Sequence, residues 1–293
     1  MNRVNLIYWK NTNFGDELGP ALIEEFSGRK VQYKDIGINR IDRLKAVLKL
    51  DLKKVNTIYF PHQKVFSSIG SILSWLPKGT IVWGSGFMNS NEKFKGGKIL
   101  AVRGKLTERL LKLQGHKLEL IYGDPALLLP LWIKPEKFKK YKLGIIPHWS
   151  EYEYFKDTYG EQHHVIDLRS NNIKDILSEI TSCEYILSSS LHGIIVAHSY
   201  QIPALWIKHG NIGTDGFKFH DYFSSVEIPK YNGFENIENL LSNEGKWHEE
   251  FNNNKDISLI KASLQNIQFK LLRSMPFGLK DKYRIILNNL DNK

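Results

Sequence analysis

The sequence predicts an α/β protein of two Rossmann-like domains facing a cleft. Three observations carry that prediction. Short apolar runs alternate with helical patterns as far as Pro130, the signature of parallel strands joined by helices. A break follows, where Pro135 and the basic string Lys137-Phe138-Lys139-Lys140-Tyr141-Lys142 read as a solvated linker rather than a core element. The alternation then restarts, and 293 residues suffice for two such units, each with its own core. The expected boundaries are 1–140 for the first domain, 141–255 for the second, and 256–293 for an amphipathic helix and basic tail.

In the first unit, strands are expected near Val4–Trp9, Thr57–Phe60, Thr80–Trp83 and Lys98–Val102. The opening run is too short, and too soon interrupted by Lys10 and Asn11, for a signal peptide or membrane span; it reads as a buried strand. Helices are expected at Glu17–Phe26, Ser68–Trp75 and Thr107–Gln114. In the second unit the strands are Leu143–Pro147, Val165–Leu168, Tyr185–Leu187 and Ala204–Ile207, with helices at Ile173–Ile180 and Gly193–Ser199. Two such lobes leave a cleft, the layout of the glycosyltransferase-B type, and inter-domain clefts are favoured ligand sites. In the tail, Ile257, Ile260, Leu264, Ile267 and Leu271 recur at spacings of three and four, with Asp256 as N-cap. A stripe this regular is read as packing on the body of the protein, with a membrane-surface role as the alternative. Pro276 and Gly278 end it before a basic segment, Lys280 to Leu290.

Composition narrows the function classes. A single cysteine, Cys183, excludes an internal disulfide framework and fits a reducing, cytoplasmic compartment. The net charge of +10 points to nucleic acid, an anionic membrane surface or acidic small substrates. Basic residues cluster at Lys134–Lys142 and Lys261–Lys282 without Arg-Gly repeats or a helix-turn-helix, so no nucleic-acid partner is expected. No metal is expected either, because His163 and His164 are adjacent and diverge in a strand, and no acid–histidine set has ligand spacing. A Gly-x-Ser-x-Gly elbow is absent, which disfavours a serine hydrolase.

The candidate site residues fall at strand-to-helix junctions, where free N–H groups and the helix dipole favour anions. In Ser188-Ser189-Ser190-Leu191-His192-Gly193, His192 places an imidazole where a strand meets a helix; the alternative is a histidine packed under that helix. His198 lies on another helical face and reads as core. In Asn11-Thr12-Asn13-Phe14-Gly15-Asp16-Glu17, Gly15 permits a tight turn and Asp16 either caps the helix or contacts substrate. Gly84-Ser85-Gly86 allows close approach by a ligand or a second backbone but lacks the dinucleotide fingerprint. Arg103, in Val102-Arg103-Gly104, could fork onto a phosphate or carboxylate, or neutralise a nearby acid. Gly123-Asp124-Pro125 reads as a turn, with Asp124 structural. Lys218 and His220, interleaved with aromatics from Gly213 to Tyr222, suggest a mobile anion-binding loop.

Taken in order, Asn13-Phe14-Gly15-Asp16, Gly84-Ser85-Gly86, Val102-Arg103-Gly104, Gly123-Asp124-Pro125, Pro147-His148, Ser190-Leu191-His192-Gly193 and Lys218-Phe219-His220-Asp221-Tyr222 resemble the polysaccharide pyruvyl transferase family. The resemblance runs to about residue 225 and implies a fold similar to glycosyltransferase-B enzymes. It implies phosphoenolpyruvate as donor, with no cofactor, and as acceptor a sugar of a polymeric or lipid-linked glycan. Many members carry an arginine before the Leu-His pair; this chain has Ser190 there. On the implied chemistry His192 is general acid or base, Arg103 and Lys218 hold the donor, and Ser188, Ser189 and Ser190 donate hydrogen bonds. Asp16 would orient the acceptor hydroxyl, with Gly15, Ser85, Gly86, His148 and His220 as further substrate contacts. A diphospholipid acceptor would bring the protein to the anionic inner face of the plasma membrane. The competing readings are a nucleotide-sugar-dependent glycosyltransferase of the same architecture and a basic glycan- or membrane-associated scaffold without catalysis.

Overall fold

The computed structural model describes residues 3–11, 13–116 and 121–291. Thr12 of the first motif lies outside them. Two parallel sheets organise the chain, which is therefore α/β. The first consists of β1 (Arg3–Leu6), β2 (Lys30–Tyr33), β3 (Phe66–Ser67), β4 (Thr80–Trp83), β5 (Gly97–Val102) and β6 (Ile121–Tyr122) in the order β2-β1-β3-β4-β5-β6. The second consists of β7 (Tyr141–Ile146), β8 (His164–Val165), β9 (Cys183–Ser188) and β10 (Ala204–Trp206) in the order β10-β9-β7-β8. Helices cover these strands, so their apolar runs are buried: Leu6, Val82, Trp83 and Val102 in one sheet, Ile145, Ile186, Leu187 and Leu205 in the other. In each sheet the strand order reverses beside the first strand, at β1 and at β7. In parallel sheets, ligands bind outside the carboxyl ends of the strands at such a reversal.

Several elements differ from expectation. The strand expected at Thr57–Phe60 is the end of a short helix, Leu52–Thr57, followed by a single bridge from Ile58 to Asp35. The helix expected at Ser68–Trp75 is an irregular loop. Ile69, Ile72 and Leu73 are buried as a helical stripe would be. However, Gly70 has φ 112°, and the loop is pinned to the next one by Gly86 N–H to Gly70 O at 3.1 Å and Leu73 N–H to Gly86 O at 3.2 Å.

The tail is not one helix from Asp256. Ile257 sits on a separate turn, Lys255–Ser258, and the amphipathic helix is Leu264–Arg273 with Ser263 as its N-cap. It packs on the body: Ile267, Leu271 and Leu272 are buried, Trp83 Nε1 donates to Leu271 O at 3.1 Å, and Gln268 donates to Leu127 O at 2.8 Å. The final helix, Asp281–Asp291, reaches back to the first helix, Phe14–Ser27. There the rings of Tyr283 and Phe26 stand 4.1 Å apart, and Glu25 accepts from Tyr283 and pairs with Lys282. Among the described residues no helix is long and apolar enough to cross a membrane.

Candidate active site

A cavity of about 200 Å³ lies where the carboxyl ends of the two sheets converge. Its walls come from the segments after five inner strands and beyond one edge strand: Asp16 after β1, Gly70 and Ser71 after β3, Met88 after β4, His148 after β7, Ser190 and His192 after β9, and Lys218 beyond the edge strand β10. Three tryptophans, Trp9, Trp75 and Trp149, also line it, with the rings of Trp9 and Trp149 5.7 Å apart. Trp75 and Trp149 are 47% and 39% exposed, so they form its rim.

His192 is in the first turn of the helix Leu191–Ser199, which follows β9 through Ser190. Gly15, in the first turn of the helix after β1, lets the two helix starts approach: a Cβ on Gly15 would lie 2.5 Å from His192 Cγ. His192 Nε2 is buried with no hydrogen-bond partner among the described residues and lies 4.0 Å from Asp124 Oδ2. Burial, reinforced by Arg103 and Lys218, pushes the imidazole down to about 3, so it is neutral at physiological pH and no ion pair with Asp124 forms. Asp124 does form the expected turn, its Oδ1 accepting from Ala126 N–H at 2.9 Å. What the turn reading missed is its other oxygen, which faces His192; burial raises this carboxyl to about 6.

Asp16 is not the cap of its helix. Asn13 is the N-cap, its side chain accepting from Gly15 N–H at 3.2 Å and donating to Asp16 Oδ2 at 2.8 Å. Asp16 is one turn inside and buried against the cavity, and burial followed by Glu17 raises its carboxyl to about 7, against the pull of Lys218. Lys218 belongs to a regular helix, Phe217–Ser225, rather than to a loop. It is buried, lines the cavity, and has no hydrogen bond or ion pair among the described residues, only the Phe219 ring 5.3 Å from Nζ. Burial and the nearby Arg103 lower its ammonium to about 8. An unpaired buried cation beside a carboxyl and an imidazole, both held near neutrality, can pair with a small anion. His148 completes this wall, its ring lowered to about 4 by burial and by Lys218.

Other expected contacts lie elsewhere. Arg103 does not line the cavity. Its fully buried guanidinium donates to Asp221 Oδ2 at 3.0 Å, to Ser71 Oγ at 2.5 Å and to Phe87 O at 2.5 Å. Asp221 also accepts from Thr107 N–H and Thr107 Oγ1, both at 2.7 Å. This clasp explains two motifs at once, since a Cβ on Gly104 would lie 2.6 Å from Asp221 Oδ1 and one on Gly86 2.7 Å from Arg103 Cζ. Ser85 is buried behind it, bonded to Ser67 and to Ser68 O at 2.8 Å each. Ser188 donates to Ile146 O and Ser190 O, and Ser189 to Glu151 Oε2, so of the three serines only Ser190 faces this cavity. His220 lines a neighbouring pocket with Trp206 and accepts no role here; its Nε2 is 3.0 Å from Tyr231 O. His198 is core, between Tyr222 OH and Ser258 O. Among the described residues no cluster of His, Cys, Asp or Glu could hold a metal ion.

The family model of Polysaccharide pyruvyl transferase matches residues 13–211, which include the cavity residues from Asn13 to His192 but not Trp9, Ile212 or Lys218. Uncharacterized protein L143 of Acanthamoeba polyphaga mimivirus is 34% identical over 182 residues, 59% of this chain and 62% of that protein. Succinoglycan biosynthesis protein ExoV of Rhizobium meliloti (strain 1021) is 28% identical over 174 residues, 55% of this chain and 53% of ExoV. The chain thus matches between half and two thirds of the length of these relatives. No solved structure matches it.

Proposed function

The chain belongs to the polysaccharide pyruvyl transferase family, and from that premise we propose that it moves the enolpyruvyl group of phosphoenolpyruvate onto a sugar of a polysaccharide or lipid-linked glycan precursor, forming a pyruvate ketal and releasing phosphate. The observation that carries this reading is Lys218, a buried, unpaired cation sharing one cavity with Asp16 and His192. A small polyanion supplies the charge that this ammonium lacks. The printed name of ExoV supports polysaccharide synthesis as the setting. We read the two sheets as lobes of a glycosyltransferase-B-like architecture divided near residue 140, acting in the cytoplasm at the inner face of the plasma membrane.

We assign the steps from the proton positions. Asp16, held near 7, carries the proton that the donor's methylene carbon needs, and the alkene electrons form the new C–H bond. The first sugar hydroxyl adds to the adjacent carbon and gives its proton to neutral His192. The C–O bond to phosphate then breaks, His192 returns the proton to the leaving phosphate, and the second hydroxyl closes the ketal while reprotonating Asp16. Both groups end as they began, and no cofactor enters. Lys218 holds the donor anion, and Trp9 together with the rim residues Trp75 and Trp149 offers flat apolar faces for the acceptor's pyranose ring.

Calorimetry tests the reading directly. Phosphoenolpyruvate should bind and UDP- or GDP-sugars should not, and phosphate should be released with glycan acceptors to give a pyruvylated product. Nucleotide-sugar binding without phosphoenolpyruvate binding would favour a glycosyltransferase instead.

A further inference from the structure

Between Asp35 and Ile58 the chain makes an excursion that contributes almost nothing to the core. Helix Arg40–Leu48 buries only Ala46, and helix Leu52–Thr57 buries nothing. The excursion is nonetheless well built. Its base is tied by Asp35 N–H to Thr57 O at 2.7 Å, Tyr59 N–H to Asp35 O at 3.1 Å, and Lys34 Nζ to Asn56 O at 2.7 Å. Asn39 caps the first helix and Asp51 the second. A helical hairpin this well terminated but so little buried has its use on the outside.

Its outer face is apolar. Ile41 is 66% exposed, Leu44 60%, Val47 45%, Leu48 73%, Leu50 78% and Leu52 70%. On a helix of about 3.6 residues per turn, Ile41, Leu44, Val47 and Leu48 occupy an arc of about 120°, with Ala46 on the opposite side. Leu50 stands at the tip with φ 50°, a conformation usually taken by glycine or asparagine. A leucine held there presents its side chain outward at a conformational cost. The same hairpin carries Arg40, Arg43, Lys45, Lys49, Lys53 and Lys54, against the two acids Asp42 and Asp51, which are engaged at the helix starts.

We propose that this hairpin is an in-plane anchor for an anionic lipid surface. The partner's chemistry follows from the composition. Exposed aliphatics on a strongly basic hairpin suit acyl chains and anionic headgroups together. Protein interfaces instead gather aromatics at their centre and exclude lysine. Position agrees with this. The hairpin leaves the carboxyl end of β2, which pairs with β1 through Tyr33 and Leu6, so it starts on the edge of the molecule that carries Trp9 and Asp16. A membrane-bound hairpin thereby brings the cavity's side of the protein to the bilayer. The inference rests on the surface alone and stands whichever reaction the cavity performs.

Vesicle sedimentation tests it with the full chain. The protein should sediment with vesicles containing phosphatidylglycerol, lose that binding as salt rises, and bind pure phosphatidylcholine vesicles at least about tenfold more weakly. Leu44→Asp with Leu48→Asp should abolish binding while the thermal midpoint stays at the wild-type value, because neither side chain is in the core. Lys45→Glu with Lys49→Glu should remove the preference for anionic lipid. The proposal is overturned by absence of wild-type binding, by equal binding to neutral vesicles, or by full binding of the leucine variant. It is equally overturned if light scattering shows a dimer in solution that the leucine variant dissociates, since a second copy would then cover the face.

Discussion

Gly15→Ala perturbs the candidate site by one methyl group, and its effect can be worked from the coordinates. The new Cβ would collide most closely with His192 Nδ1 and would lie 2.5 Å from Cγ and 2.9 Å from Cε1, about 1 Å inside ordinary contact at Cγ. The backbone is not free to yield, because Gly15 N–H is bonded to Asn13 Oδ1 and Phe14 N–H to Leu168 O. The imidazole must move instead, by about 1 Å. A displacement of that size in a reacting group costs on the order of 100-fold in rate, or about 2.7 kcal/mol of barrier. Stability should change much less, since the helix gain of alanine over glycine, about 1 kcal/mol, opposes an overpacking cost of about 1–3 kcal/mol. The assay is phosphate release from phosphoenolpyruvate with a glycan acceptor, for Gly15→Ala, His192→Ala and the double variant. If the loss runs through His192, the double variant is no slower than His192→Ala. Activity of Gly15→Ala within about threefold of wild type, or losses that multiply in the double variant, would refute the reasoning.

Three further outcomes follow from the same geometry. Asp16→Asn should lower turnover by about 100-fold or more by removing the proton donor. It should also become more stable relative to wild type as pH rises from about 4 to about 7, because the folded carboxyl is raised to about 7 and wild type must ionise it in a buried place. The gain levels off above that pH and is at most about 4 kcal/mol, and thermal melts across pH read it. Lys218→Met should weaken phosphoenolpyruvate binding roughly 10- to 100-fold in calorimetry and leave the thermal midpoint unchanged or higher, since a buried unpaired cation is removed. Arg103→Met should act on the fold: leaving Asp221 buried without its partner costs about 3–5 kcal/mol, a fall of roughly 10 °C in the thermal midpoint. An unchanged midpoint with lost donor affinity would instead return Arg103 to the substrate.

The parallel architecture was legible because each inner strand is an apolar run too short for a helix, as in Thr80–Trp83 and Cys183–Ser188. The loop at Ser68–Trp75 was not, because Ile69, Ile72 and Leu73 carry helical spacing while the deciding facts are long-range: the bonds to Gly86 and the left-handed Gly70. The same division runs through the site. His192 and Asp16 could be picked out as polar residues at strand-to-helix junctions and Lys218 as part of a loop after the last strand, and all three line the cavity. Arg103 stood at the same kind of junction, yet its guanidinium is claimed by Asp221, 118 positions away. Asp124 was dismissed as a turn residue because its neighbour His192 is distant in sequence and only the approach of the two sheets brings them to 4.0 Å. Local pattern identifies where polar groups emerge from a sheet; which of them remain free for a ligand is decided by partners that local pattern does not contain.

The least legible property was the placement of protons, and it reverses the roles that residue types suggest. A histidine is the usual proton carrier near neutrality and an aspartate the usual fixed charge. Here burial moves each group toward its neutral form: Asp16 up to about 7, Asp124 up to about 6, His192 down to about 3, Lys218 down to about 8. The carboxyl therefore holds the proton and the imidazole offers the lone pair. An arriving polyanion acts on all of these in one direction, since added negative charge favours protonation of every neighbour. It restores full charge to Lys218, keeps Asp16 protonated, and makes His192 a stronger base than it is alone. A polyanionic donor would thus keep the acid protonated and strengthen the base that its transfer requires, which no neutral ligand in this cavity could do.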